Sequence, residues 1–453
     1  MVRTWPTIKF TGENEMRLTL PSDILSLAPY LDRFLNLIGR ERWFKRCDQL
    51  DVDQRRTPFG WKIVADFHWL EMAIGFQADV LAKDGRLSSE LADGRILAAL
   101  NFAASTVEVH AKLSQRGRQV LEGRLRDSLK AKTGFAPLYL EIDLAQRLMD
   151  GGYDVEFTDI EGRAQFDLLF SRGSFVGEVE CKSLSADAGR QIHRKDFYRF
   201  MEAITPALAE HAKLKQQEVL VVSLDARLSP NTADQKRLAQ ATTILLREDA
   251  PKTTQGQGFK LERRLYTECL GHAPLHDQSA FYKACGLVFG ENTHVAGSLT
   301  EDTGCVVVMR SKREDDPSKP KLEALRKAAS QFTGERPAFI AIQEHDIDPA
   351  DLMLPHVRRK AAILSYALFG HYGGSHVNAT YVTGFGAVVE RDGLIGTPAF
   401  AIPNPKPKFP INASDAAPFL AHISDADYAA AIGKPLPAEN ISVLPIDLPD
   451  RDQ

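Results

Sequence analysis

The chain has 453 residues, of which 44% are hydrophobic and 26% charged, and its formal net charge is −4. That length exceeds what one ordinary hydrophobic core encloses and predicts two or three soluble, globular domains. The slight acidity excludes a polycationic nucleic-acid coat, so any nucleic-acid contact must come from a local patch.

Residues 1–130 read as a mainly helical region. Pro21-Ser22-Asp23 opens a helix whose apolar positions Leu25, Leu27, Leu31, Phe34, Leu35 and Ile38 fall at helical spacing, and Gly39 ends it. Two more helices are expected over 69–82 and 96–113. Basic residues cluster from Arg40 to Lys62 and again from Lys112 through Arg116, Arg118, Arg124, Arg126 and Lys130 to Lys132. Both clusters read as solvated faces, the second lying closer to the segment that carries chemistry.

From Pro137 the pattern sharpens. Pro137 suits a first helical turn, and Gly151-Gly152 suits the end of that helix. Strand-like segments follow at 154–158, 165–171 and 175–183, separated by turn residues. A helix is expected over 196–215, disturbed at Pro206, and then a continuous apolar strand at 219–224. The order is α-β-β-β-α-β, which assigns 131–228 to one core. Residues 229–453 read as a further α/β region with a strand at 305–309, a helix at 321–332 and a strand at 337–342. Ile402–Pro410 holds four prolines in nine residues and reads as an extended loop. His371 and His376, the acidic stretch Glu344 to Asp351 and the basic stretch Arg310 to Lys321 all read as loops or solvated turns.

Five cysteines without a CxxC pair point to reduced thiols. The sequence has no secretion signal and no apolar run of about 18 residues, so a cytoplasmic protein without membrane contact is expected. It contains no GxxxxGK[ST] loop, no G-x-S-x-G elbow and no GxGxxG after a strand.

The chemistry concentrates in two segments. As a strand, 175–183 turns Val176, Glu178, Glu180 and Lys182 to one face and Phe175, Gly177, Val179 and Cys181 to the other. Carboxylates at i and i+2 on a half-buried face repel, and a divalent cation would relieve that. Asp167 precedes by a short hairpin, on the face opposite Phe166, Leu168 and Phe170, and can sit across from Glu180. Two carboxylates suit Mg2+, for which Mn2+ can substitute, and the Cys181 carbonyl offers a further oxygen. Lys182 beside such a cation can orient or help deprotonate water and offset the charge of a phosphodiester under attack.

Asp167, the hairpin and Glu180-Cys181-Lys182 together resemble the D…(D/E)xK signature of the PD-(D/E)xK, or restriction-endonuclease-like, nuclease superfamily. The resemblance covers about residues 120–225, with Phe166-Asp167 where the family has Pro-Asp. It implies an α/β fold with a restriction-endonuclease-like α-β-β-β-α-β core, preceded here by the helical region and followed by the further α/β region. It implies a Mg2+-dependent endonuclease that hydrolyses phosphodiester bonds in nucleic acid, DNA favoured, as in restriction or anti-phage defence. Asp167 and Glu180 would bind metal, Lys182 would manage the water, and Glu141, on the helix before the first strand, would complete the site. Arg190, Gln191 and Arg194, around the start of the following helix, would contact phosphate. A homodimer or a partner protein is the expected assembly. The alternative is a catalytically inactive module of the same fold that binds nucleic acid or assembles a complex.

Overall fold

The computed structural model describes residues 24–56, 64, 67–87, 94–185, 187–214, 216–271, 278–290, 292–299, 303–345, 352, 354–385, 389–391, 394–396, 399–412, 415 and 419. The chain divides into two compact units, the first drawn from residues 1–47, 67–185 and 321–453, the second from 48–66 and 186–320. Among the described residues, no helix is long and apolar enough to cross a membrane.

The N-terminal helices are α1 (Ala28–Ile38), α2 (Arg40–Arg56), α3 (Trp69–Asp84), α4 (Gly94–Lys112), α5 (Gln115–Ser128) and α6 (Ala136–Asp150). Strands β1 (Asp154–Phe157), β2 (Leu168–Arg172) and β3 (Phe175–Leu184) follow. Next come α7 (Arg194–His211), β4 (Gln217–Leu224), α8 (Thr232–Leu245), β5 (Thr253–Gly256), β6 (Phe259–Leu265), α9 (Tyr266–Leu270), α10 (Gln278–Phe289), β7 (His294–Leu299) and β8 (Gly304–Ser311). The chain then forms α11 (Ser318–Ala329), β9 (Ala338–Glu344), α12 (Pro355–His371), β10 (Val377–Gly384), β11 (Val389–Arg391), β12 (Leu394–Gly396) and β13 (Ala399–Pro403).

Local chemistry explains the helix ends near the site. In α1 the buried Leu31, Phe34, Leu35 and Ile38 form one stripe, and Gly39, at φ 96°, stops it. The predicted opening at Pro21–Asp23 lies outside the described residues. The Ser114 hydroxyl caps α5 by accepting the Gly117 N–H at 3.0 Å. Pro137 lies in the first turn of α6, as expected. α6 is buried on most sides because it packs against both α4 and β3. Pro206 does not interrupt α7.

The first unit is built on a six-stranded sheet of order β1-β2-β3-β9-β10-β13. β1, β2 and β3 form an antiparallel meander, β3, β9 and β10 run parallel, and β13 closes the far edge antiparallel. The second unit holds the five-stranded sheet β5-β6-β4-β8-β7, with α7 and α8 packed against it.

Here the structure corrects the expected core. The strand expected to follow the meander, 219–224, pairs with β6 and β8 in the second sheet. The meander is completed by β9, which sets Glu180 beside Ile340 and Lys182 beside Ile342. An apolar run shows that a strand is central but not which strands flank it, so pattern alone assigned β4 to the nearest meander. The prolines of Ile402–Pro410 likewise begin inside β13, because Pro403 ends an edge strand that lacks an outer partner.

The two faces of the first sheet bury separate cores. Val179, Leu168, Phe170 and Phe339 meet α1, α3, α4 and α6, while Leu169, Ile340 and Ile342 meet α11 and α12. The alternation read for β3 holds: Phe175 and Cys181 pack with the helical side, Val176 and Leu184 with the other. Phe166 departs from its expected partners. It leaves the face of Leu168 and Phe170 and packs on Phe332, with ring centroids 6.3 Å apart. Regular strand begins only at Leu168, because Thr158 holds the Phe166 and Asp167 carbonyls through its hydroxyl.

Gly177 lies opposite Phe170 in the β2–β3 ladder, and a Cβ there would stand 2.5 Å from the Phe170 ring. That ring is fully buried among Tyr153, Phe175, Phe339 and Phe419 and has nowhere to retreat. Gly177→Ala is therefore expected to cost about 1–3 kcal/mol by overpacking, and Phe170→Ala about 3–5 kcal/mol by leaving a cavity. Urea unfolding measures both, and an unchanged midpoint for Gly177→Ala would contradict this account.

Candidate metal centre

Four elements of the first unit converge on Asp167. Its N–H donates to the Val179 carbonyl at 3.1 Å, which continues the β2–β3 ladder one step beyond Leu168 and brings Asp167 level with Glu180. Its Oδ2 accepts the Cys181 N–H at 2.6 Å, so the carboxylate is tied to the backbone between Glu180 and Lys182. The Thr158 N–H donates to the Asp167 carbonyl at 2.9 Å, bringing in the turn after β1. That turn carries Asp159, whose Oδ1 accepts the Ile160 N–H at 2.6 Å. Glu141 reaches in from α6.

Glu141, Asp159 and Asp167 each offer an oxygen within 4.8 Å of the other two. Glu180 is outside that mutual group but belongs to the same electrostatic cluster. Asp167, Glu141 and Glu180 are 7%, 8% and 1% exposed, so water screens little of their mutual repulsion. Two cations face them. The Arg124 guanidinium donates to Glu141 Oε2 at 2.7 Å and also to Asp159. The Lys182 ammonium donates to Glu180 Oε1 and, at 2.9 Å, to Gln331 Oε1. Glu180 Oε2 is buried with no hydrogen-bond partner among the described residues. If all four carboxylates ionise, Arg124 and Lys182 leave the cluster two positive charges short.

The deficit shows in the proton affinities. Burial and then Asp167 push Glu141 well above the usual carboxylate range. Burial and then Asp159 raise Asp167 against the opposing pull of the Cys181 N–H, Lys182 and Arg124. Burial and then Asp167 raise Glu180 despite Lys182. Asp159 is also raised, chiefly by burial. Burial keeps the Cys181 thiol protonated, with the acids adding to the effect. The missing charge is thus supplied either by protons or by a hard cation. An all-oxygen donor set with an unpartnered buried oxygen suits a divalent one.

The structure brings together Asp167, Glu180, Lys182 and Glu141, as the sequence reading had them. Cys181, expected to offer its carbonyl, is tied to the site by the N–H it donates to Asp167. Asp159 and Arg124 were missed as site residues. An aspartate in a turn ordinarily serves the turn itself, as the Asp159–Ile160 contact does here, so nothing marked it. Arg124 belongs to the basic stretch read as a solvated face, yet it faces the acids, and no spacing rule separates it from its neighbours. Glu178, the third charge on the β3 face, is fully buried and accepts the Thr333 N–H and hydroxyl, which makes it a structural carboxylate.

Arg190, Gln191 and Arg194 belong to the second unit, where the Arg190 N–H donates to the Asp187 carbonyl at 3.0 Å. The Gln191 N–H donates to Asp315 Oδ1 at 2.7 Å and its side chain to the Glu314 carbonyl at 3.2 Å. The Arg194 N–H donates to Asp187 Oδ2 at 2.9 Å, so a carboxylate already occupies the start of α7. The phosphate contacts expected of these residues therefore lack the free helix end that suggested them. His376 Nε2 donates to the Ala329 carbonyl at 3.0 Å, and His371 ends α12 rather than standing in the expected loop. Glu344 is buried at the end of β9 against Lys321, while Asp346, Asp348 and Asp351 lie outside the described residues.

No family model, no curated protein and no solved structure matches this chain.

The raised acids give a signed pH dependence. A carboxyl whose folded-state value lies above its unfolded value costs stability as pH rises from about 4 through the raised value, because the folded state must give up its proton. Without a divalent cation, thermal stability is expected to fall across that window. Mg2+ or Mn2+ should raise Tm more at pH 8 than at pH 5, and Asp167→Asn should raise the metal-free Tm at pH 8 and abolish the metal response. Equal Tm values with and without either cation at pH 8 would overturn the metal centre.

Proposed function

We propose that this chain is a metal-dependent nuclease of the PD-(D/E)xK type, hydrolysing phosphodiester bonds in nucleic acid, with DNA the favoured substrate. One observation carries the reading: a buried carboxylate cluster, two positive charges short, with the Lys182 ammonium on its rim. The element order supports it as well. α6, β1, β2, β3, α11 and β9 run α-β-β-β-α-β when residues 186–317 are taken as an insertion between β3 and α11. That insertion makes the core discontinuous in sequence.

Glu141, Asp159 and Asp167 would hold Mg2+, with the unpartnered Glu180 oxygen beside them. The ion's contribution when bound is to polarise a phosphoryl oxygen and lower the proton affinity of water. The chain's own residues do the rest. The Cys181 N–H fixes Asp167 in the rotamer that faces Glu141 and Asp159. Glu180 holds the Lys182 ammonium through Oε1. Lys182 then presents a fixed positive charge to the phosphate oxygens, where charge grows as the attacking oxygen adds. The low exposure of the acids keeps that field unscreened.

One observation favours the binding-only alternative: Arg124 already bridges two of the three mutually close carboxylates. A site content with Arg124 would bind nucleic acid without cutting it.

Supercoiled plasmid and labelled single strands incubated with Mg2+, Mn2+ or EDTA separate the two. Cleavage should require the cation and fall at least about 100-fold in Glu180→Ala and in Lys182→Ala. Cleavage that survives Lys182→Ala would sink the proposal. Retained binding with no cation-dependent products from the wild type would establish the alternative.

A further inference from the structure

Segment 330–333, just beyond α11, is fixed on two sides. Phe332 is buried in the apolar core against Phe166. The Thr333 N–H and hydroxyl donate to Glu178 at 3.0 and 2.5 Å. Gln331 directly precedes these anchors. Its Nε2 donates to the Gln165 carbonyl at 2.9 Å, and its Oε1 accepts the Lys182 ammonium at 2.9 Å. Each partner accepts only one end of the amide. A flipped amide would face the ammonium with a second donor and the Gln165 carbonyl with a second acceptor, so the orientation follows from chemistry.

We propose that Gln331 is a positioning residue that aims the Lys182 ammonium at the acidic site, an inference that rests on the nuclease reading of Lys182. A lysine side chain has four rotatable carbons and one compact charge, so a single carboxylate does not fix where that charge sits. Glu180 binds the ammonium from one side and Gln331 binds it from another. The Gln165 end of the amide ties that second anchor to the backbone two residues before Asp167. Lys182 and Asp167 are thereby held to one frame. The amide is also neutral. A glutamate in its place would lose the donor that meets the Gln165 carbonyl, and its charge would cancel the one that a phosphate is meant to meet. Glu178, through Thr333, and Phe332 hold the frame rigid.

The test uses the full chain with Gln331→Leu, Gln331→Glu and Lys182→Ala, plus each Gln331 variant combined with Lys182→Ala. On plasmid with Mg2+, both Gln331 variants are expected to lower kcat about tenfold with KM and the Mg2+ dependence unchanged. Neither should lower activity further when Lys182 is already alanine, which a merely structural role would not produce. A second measurement needs no nuclease activity: acetylation of Lys182 by acetic anhydride at one fixed pH, read by peptide mass spectrometry against the exposed Lys83. Labelling is expected to rise in Gln331→Leu, which loses an acceptor, and to fall in Gln331→Glu, which gains an anion. Unchanged labelling in both variants overturns the inference, as does a wild-type kcat in both. A wild type that does not cut, combined with opposite labelling shifts, sinks the nuclease proposal and leaves Gln331 as the residue that holds Lys182.

Discussion

The pairing of β2 with β3 is the constraint on which the rest of the first unit depends. Leu168 stands opposite Val179, and the Asp167 N–H reaches the Val179 carbonyl one step further on. Slipping that register by one residue would turn Glu180 and Lys182 toward the helical core and Val179 and Cys181 toward α11. Apolar side chains therefore set the position of the charged ones. Phe170 over Gly177 and the ring cluster around it are the lock, and the acidic site is what the lock aligns.

Burying Glu141, Asp167 and Glu180, with Asp159 half-buried beside them, next to two cations is unfavourable without compensation. The compensation visible in the protein is partial: one guanidinium, one ammonium and a few backbone donors. The remainder is taken up by protons at low pH, and it is the opening for a divalent cation at higher pH. A site of this kind is not a product of folding efficiency. It is expected to weaken the metal-free fold in the pH range where the acids ionise, a local conflict with stability that fits the proposed function.

The second unit shows how a core tolerates a long insertion. Residues 186–320 form their own five-stranded sheet with cores on both faces. Closing a longer loop adds only a slowly growing entropy cost, so β9 still pairs beside β3 after a long excursion of the chain.

That Asp167 meets the face of Glu180 and Lys182 was legible because strand alternation is a local property, fixed by backbone geometry over a few residues, whereas Glu141 came only from the resemblance. Legible too were α1, α3, α4 and the meander, whose apolar periods lie next to one another in the chain, while α2 carried no such period and was read only as a basic cluster. What the tertiary structure alone decided is pairing over distance. It chose β9 over β4 as the neighbour of β3, and it brought Arg124, Asp159 and Gln331 to the acids. Gln331 is separated from Lys182 by 149 positions and shares no pattern with it. Side-chain periodicity records which face of an element is buried, but the identity of the residues that cover that face depends on which distant surfaces pack best together, and no local spacing encodes that.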